Sequence, residues 1–237
     1  MQPALLVVSV LPSIILLLYI YKKDRVEKEP ASLLAVIFAI GALSVIPSLI
    51  IETVGVYIAS HLFDVGSIGM VAFIAFIVVA LSEEGFKYLG MKLVTWKNNN
   101  FDCTFDAVVY GVFASLGFAT IENIAYVAEE GIWVGLGRAV LSVPIHMMCG
   151  VFMGASYGRA KVYQHKRKKG ASKINRINAV LEAAIIHGVY DFCLMLNTDT
   201  STKIFFLYMI FMYFITFIKI KSMSVKDSFI DETKIEN

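Results

Sequence analysis

The sequence predicts an all-α membrane protein, a polytopic bundle of about seven transmembrane helices, from three observations. Of the 237 residues 58% are hydrophobic and the mean hydropathy is +0.71, against roughly 45 to 50% apolar residues in soluble domains. The apolar residues gather into about seven stretches, each able to supply the roughly 20 residues that a bilayer crossing requires. Lysine and arginine then alternate between crowded and nearly empty connections along the chain.

That alternation sets the orientation. Residues 22–29 hold Lys22, Lys23, Arg25 and Lys28, and 92–97 hold Lys92 and Lys97. Residues 159–176 hold eight basic side chains, and the C-terminal segment adds Lys219, Lys221, Lys226 and Lys234. The intervening connections 61–66, 129–131 and 197–203 contain only Lys203. The positive-inside rule puts the basic connections in the cytoplasm, with the N-terminus outside and the C-terminus inside. Residues 1–221 form one transmembrane domain with a catalytic core at about 67–196, and 222–237 form a polar cytoplasmic tail. The expected location is a bacterial cell membrane, crossed several times. Topology alone accounts for the basic loop, so no nucleic-acid partner is expected.

The first span, 3–21, lacks a basic leader and a small-residue cleavage site and reads as a retained helix. The second covers 31–60. The third, 67–95, is longer than a bilayer needs, which predicts a tilt or an emergent end. It carries Ser82-Glu83-Glu84-Gly85-Phe86-Lys87. On a helix Glu83 and Lys87 fall about 40° apart, with Glu84 about 60° to the other side, so both acids approach Lys87 from one face. Two acids against one base leave a carboxylate free to act as a base or a ligand.

Span four, 104–128, carries Phe118, Glu122 and Tyr126 as one stripe. Glu122 has no basic residue at i±3 or i±4, so its partner comes from another helix, a metal or a proton; Asn123 can join its polar network. Span five, 132–158, contains Pro144-Ile145-His146, where the proline loosens the helix beside the histidine. The run Gly150, Gly154, Gly158 continues it as a small-residue packing face. Span six, 177–196, supplies His187 and Asp191 at i, i+4, next to Gly188, with Glu182 nearer the cytoplasmic end. Span seven covers 203–220. Cys103, Cys149 and Cys193 are odd in number and lack C-x-x-C spacing, which predicts buried apolar residues. His61 and His165 fall in water-facing connections.

A charge near the bilayer centre costs roughly 2.5 to 3.5 kcal/mol on insertion scales, so this many ionisable groups predict a buried reaction centre. Spans three to six are expected to enclose a polar cavity open to the outer half of the bilayer. No H-E-x-x-H or G-x-G-D occurs, and Gly154-Ala155-Ser156-Tyr157-Gly158 lacks the strand-turn-helix setting of a serine elbow.

Glu83-Glu84-x-x-Lys87, Phe118-x-x-x-Glu122-x-x-x-Tyr126, His146 and His187-x-x-x-Asp191, in that order on four successive spans, resemble the PrsW family of bacterial membrane proteases. That family is related to the CAAX prenyl endopeptidases and Abi-type membrane proteins. The resemblance covers about residues 80–195. It implies a membrane-embedded protease making the first, extracytoplasmic cut in a single-pass anti-sigma factor, so that a second, intramembrane cut can release a sigma factor. It also implies catalytic roles for Glu83, Glu84, Glu122, His146, His187 and Asp191, supported by Lys87, Phe118, Asn123 and Tyr126. Prenyl endopeptidases have histidine where Glu122 stands, so a prenylated substrate does not carry over.

Two mechanisms fit these residues. In one, a glutamate, Glu83 by preference, activates water while the histidines assist. In the other, Glu122, His146 and His187, with Asp191 as an optional fourth, supply the ligands of a divalent metal such as zinc, and a first-motif glutamate takes the proton. The first is favoured, with no cofactor. Two other classes share the composition: a proton-coupled transporter, although neither internal repeats nor broken helices are evident, and a non-catalytic protein binding a partner helix through the Gly150, Gly154, Gly158 face.

Overall fold

A computed structural model describes residues 3–231. The helices are α1 (Pro3–Lys23), α2 (Ala31–Leu43), α3 (Val45–Leu62), α4 (Ile68–Phe73), a π-helical segment π1 (Ile74–Ala80), α5 (Leu81–Thr95), α6 (Asp106–Glu130), α7 (Ile132–Val140), α8 (Ser142–His165), α9 (Lys169–Leu196) and α10 (Asp199–Val225). They compose seven stretches long and apolar enough to cross a membrane, in the predicted order. Residues 1–2 and 232–237, part of the expected tail, lie outside the described residues.

Three of the spans are interrupted, contrary to the unbroken helices expected. Span two is interrupted at Ser44, whose hydroxyl donates to Gly41 O at 2.6 Å. Span three contains π1, a widened turn that resets the rotation of α5 just ahead of Glu83. Span five divides at Leu141 because Pro144 has no N–H to give Val140 O and its ring crowds that carbonyl. The carbonyl does not stay orphaned: the Tyr213 hydroxyl on α10 donates to it.

The core is the pair α6 and α8, with α9, α2 and α1 packed around them. Close approach explains the pairing. Gly150 and Gly154 of α8 lie directly on the α6 backbone at Gly111, Ala107 and Val108, and a Cβ at Gly150 would sit 2.6 Å from Gly111 O. The small-residue face is therefore filled within the chain, which removes the expected seat for a partner helix. Apolar side chains of α1, α3 and α10, among them Ile15, Ile50 and Phe214, point outward as lipid-facing surface.

At the basic end only Lys166, Arg167 and Lys168 separate α8 from α9, so the expected loop 159–176 is mostly helix. α10 runs past residue 221, and the segment after it returns to the start of α6. Asp227 Oδ1 accepts from Thr104 Oγ1 at 3.0 Å and Phe105 N at 2.9 Å, and Ile230 N donates to Asp102 O at 2.7 Å. All three cysteines are buried and unpaired.

Candidate active site

α5 contributes the floor of the site. Its first turn carries Glu83 and Glu84, and one turn on Lys87 Nζ donates to Glu83 Oε2 at 2.9 Å and Glu84 Oε1 at 2.8 Å. A fully buried ammonium needs acceptors for all its protons. The third contact of Lys87 is His146 Nδ1 on α8 at 3.1 Å, and its charge lies 3.9 Å over the Phe118 ring of α6. With Nδ1 accepting from Lys87, the proton of a neutral His146 sits on Nε2, which donates to Glu122 Oε2 at 2.9 Å.

α9 closes the other side. His187 Nδ1 lies 3.0 Å from Glu84 Oε1 and 3.7 Å from Glu83 Oε2, while Nε2 faces Asp191 Oδ2 at 3.4 Å. The position of α9 depends on Gly188, where a side chain would collide with the Phe76 ring of π1. The ligand atoms of Glu83, Glu84, His146 and His187 all lie within 4.8 Å of one another, and all four residues are buried. The expected open cavity is instead closed by these side chains upon one another, because buried charges without water must pair. Partial exposure persists at Glu122, Arg138 and Asp191, which form the rim.

Every predicted site residue joins this assembly, but Glu122 and Asp191 do not take the ligand positions expected of them. Glu122 and Asp191 stand behind the histidines, each beside an Nε2, and outside the convergent group of four. Sequence reasoning missed Arg138 of α7. Its guanidinium pairs with Glu122 Oε2 at 2.8 Å, donates from Nε to Asn123 Oδ1 at 3.1 Å and lies 4.0 Å over the Tyr126 ring. Asn123 in turn donates to Ser9 O at 2.8 Å, which ties the rim to α1. Thus Phe118, Asn123 and Tyr126 act by seating the two cations. The signal was a lone arginine inside a predicted span. Glu52 on α3, a lone acid in span two, was also overlooked; it interacts electrostatically with Glu83, Glu122, Lys87 and His187.

Ser156 lies apart from this cluster. It is buried and donates to Glu182 Oε2 at 2.7 Å, while Arg159 pairs with Glu182 at 3.4 Å, as expected for an acid near the basic end.

The model of the PrsW family of intramembrane metalloproteases matches residues 29–218. The chain belongs to the PrsW family. The protease PrsW of Oceanobacillus iheyensis is 35% identical over 92% of this chain and 95% of its own length. That of Clostridioides difficile is 31% identical over 93% and 92%, and that of Bacillus subtilis 31% over 89% and 91%. No solved structure matches. As a PrsW protein the chain is a multi-pass membrane protease.

The PrsW family description implies a metal, and the donor set here suits one. Two imidazoles and two carboxylates converge, and Glu84 Oε2 is buried with no hydrogen-bond partner among the described residues. Glu83, Glu84, Glu122 and Asp191 outnumber the permanent cations paired among them, Lys87 and Arg138, by two formal charges. Lys87 Nζ itself touches three of the convergent ligand atoms, so an ammonium rests where a metal would share them.

Proposed function

We propose that this PrsW protein makes the first, extracytoplasmic cut in a single-pass membrane protein of the anti-sigma-factor type. The observation that carries the catalytic part is the convergence of Glu83, Glu84, His146 and His187 from three helices, with both histidines backed by carboxylates. Glu84, His146 and His187 would hold a divalent metal, zinc by donor type. When bound, it supplies Lewis-acid polarisation of the scissile carbonyl and acidifies water. This reverses the preference for a metal-free glutamate mechanism, since His187 Nδ1 points at Glu84, His146 Nδ1 points at the Lys87 ammonium that both glutamates share, and each Nε2 faces an acid, as metal-ligating histidines require.

Glu83, less enclosed than Glu84, takes the proton from the attacking water and returns it to the leaving amine. Arg138 at the rim orients Glu122, which in turn holds His146. Lys87 neutralises the glutamates and fixes their rotamers. The buried setting excludes bulk water, so a substrate segment must enter unwound, because a helical segment hides its carbonyl carbons.

The test compares membrane-protein fragments in cells producing the intact protein and cells producing Glu83→Gln/Glu84→Gln at equal abundance. A single-pass protein that sheds its external domain only with the intact form supports the reading and identifies the substrate. Identical fragment patterns at rest and under envelope stress would overturn it and return attention to proton-coupled flux.

A further inference from the structure

Away from the active site, α5 and α9 diverge toward the basic end and leave a cleft of about 500 Å³ between them. Its walls are the apolar side chains Leu89, Ile177, Val180 and Leu181, and Gly85 forms part of the floor. The volume falls in the range of small-molecule sites, roughly 300 to 1,000 Å³. Leu89, Ile177 and Leu181 are about half exposed on the side that faces lipid.

The rim of the cleft has a different chemistry. Lys92, one turn from the end of α5, and Lys173 and Arg176, in the first two turns of α9, gather at one mouth. No carboxylate lines it. Two donors in this wall lack a hydrogen-bond partner among the described residues: the hydroxyl of Tyr88, a residue 6% exposed, and the buried Nε of Arg176. Such groups inside a protein are costly unless an acceptor arrives. The guanidinium is held in place by stacking 5.2 Å over the Trp96 ring.

We propose that this cleft is a binding site for an anionic phospholipid, with the headgroup phosphate held by Lys92, Lys173, Arg176 and the Tyr88 hydroxyl and an acyl chain lying along Leu89, Ile177, Val180 and Leu181. The charge complementarity selects the class. Three cations and two unpartnered donors meet an apolar trough that opens sideways to the bilayer, and an anionic lipid presents phosphate and hydrocarbon in that order along the membrane normal. A neutral lipid headgroup would leave the cluster uncompensated. A free phosphate would leave the apolar trough without an occupant. The distance from Lys92 to Gly85 along α5 is about 10 Å, so the chain reaches to the residue beside Glu84. The lipid thus braces the two helices that carry Glu83, Glu84 and His187.

The experiment is native mass spectrometry of the full-length protein in neutral detergent with equal amounts of dioleoyl phosphatidylglycerol and dioleoyl phosphatidylcholine, and separately with inorganic phosphate. The expected result is selective retention of phosphatidylglycerol. In Lys173→Gln/Arg176→Gln that retention falls about fivefold or more per basic residue removed. Lys221→Gln/Lys226→Gln, which removes two exposed charges at the end of α10 and just past it, outside the cleft, retains it. Should the first variant not fold, Gly85→Leu serves in its place: a Cβ there meets nothing within 4 Å, and the larger side chain fills the floor with every basic residue intact. It is expected to expel the lipid. Equal retention of the two lipids, equal loss in both charge variants, equal protection by inorganic phosphate, or unchanged retention in Gly85→Leu would each overturn the proposal.

Discussion

His146 and His187 lie with ring centroids 5.0 Å apart at 85°, and each turns Nδ1 inward and Nε2 toward an acid. Nδ1 of His146 meets Lys87 and Nδ1 of His187 meets Glu84, while Glu122 and Asp191 hold the far nitrogens at 2.9 and 3.4 Å. Two histidines from different helices are thereby oriented by the same device. Rotating the His146 ring would break a hydrogen bond on each side, and rotating the His187 ring would break its bond to Glu84 and its approach to Asp191.

The rear acids are therefore expected to act through the histidines. Glu122→Gln and Asp191→Asn should each lower zinc affinity and cleavage of a single-pass substrate by about 10- to 100-fold while the protein stays folded. Zinc titration of the purified variants beside a cleavage assay checks this. Unchanged zinc affinity in both would assign these acids a role other than orientation.

Glu83 and Glu84 should separate by readout. Glu84→Gln removes a carboxylate in contact with both Lys87 and His187 and is expected to lose stoichiometric zinc. Glu83→Gln should keep the metal and lose turnover by about 100-fold or more, the scale of a missing general base. Elemental analysis alongside cleavage measures both, and the reverse pattern would exchange the two roles.

Lys87→Met leaves two buried carboxylates facing each other without their cation. Breaking a buried pair in this way generally costs about 3 to 5 kcal/mol. The expected outcome is a clear fall in the Tm of chelator-treated protein, with zinc restoring more stability to this variant than to the parent. Thermal unfolding in detergent with and without zinc decides it, and equal zinc-induced shifts would mean that Lys87 and metal do not compete for the same atoms.

A pH effect is expected far from the site. Asp24 and Glu29 are buried at the basic end; burial pushes the Asp24 carboxyl up to about 6 against the opposing Lys28 charge, and Glu29 up to about 7 against the Tyr110 hydrogen bond. Asp227 adds to the rise at Asp24, and Asp24 and Asp102 to that at Glu29. Because both groups bind protons more tightly folded than unfolded, their contribution favours the folded state at low pH and is lost as pH rises through the interval from about 4 to 7. Asp24→Asn/Glu29→Gln should flatten the fall of Tm over that interval. A slope identical to the parent's would remove these two groups as its source.

The spans and the order of the motifs were legible because hydrophobic length and i, i+4 spacing are properties of a single helix. Lys87 between Glu83 and Glu84 follows from that spacing alone. The position of Glu122 was not legible, because it depends on how α6 is rotated against α8, and that rotation is set by Gly111 meeting Gly150 and Gly154 across two helices. Arg138 escaped for the same reason: it lies 16 residues from Glu122 on an element whose direction is fixed by the interruption at Leu141. π1 has no sequence mark comparable to Pro144, so the turn it imposes before Glu83 becomes visible only with the backbone.

The pairing also bears on how such a chain is made, since helices are delivered to the bilayer in the order of synthesis. Lys87 is on the same helix as Glu83 and Glu84, so the two acids enter lipid with their cation already one turn away. Glu122 waits only for Arg138, which follows on α7 after the single connecting residue Gly131. Asp191 arrives four residues after His187. Glu83, Glu84 and Asp191 thus cross into hydrocarbon beside a partner one turn away, and the contacts among α5, α6, α8 and α9 need form only after the parts are all in the membrane.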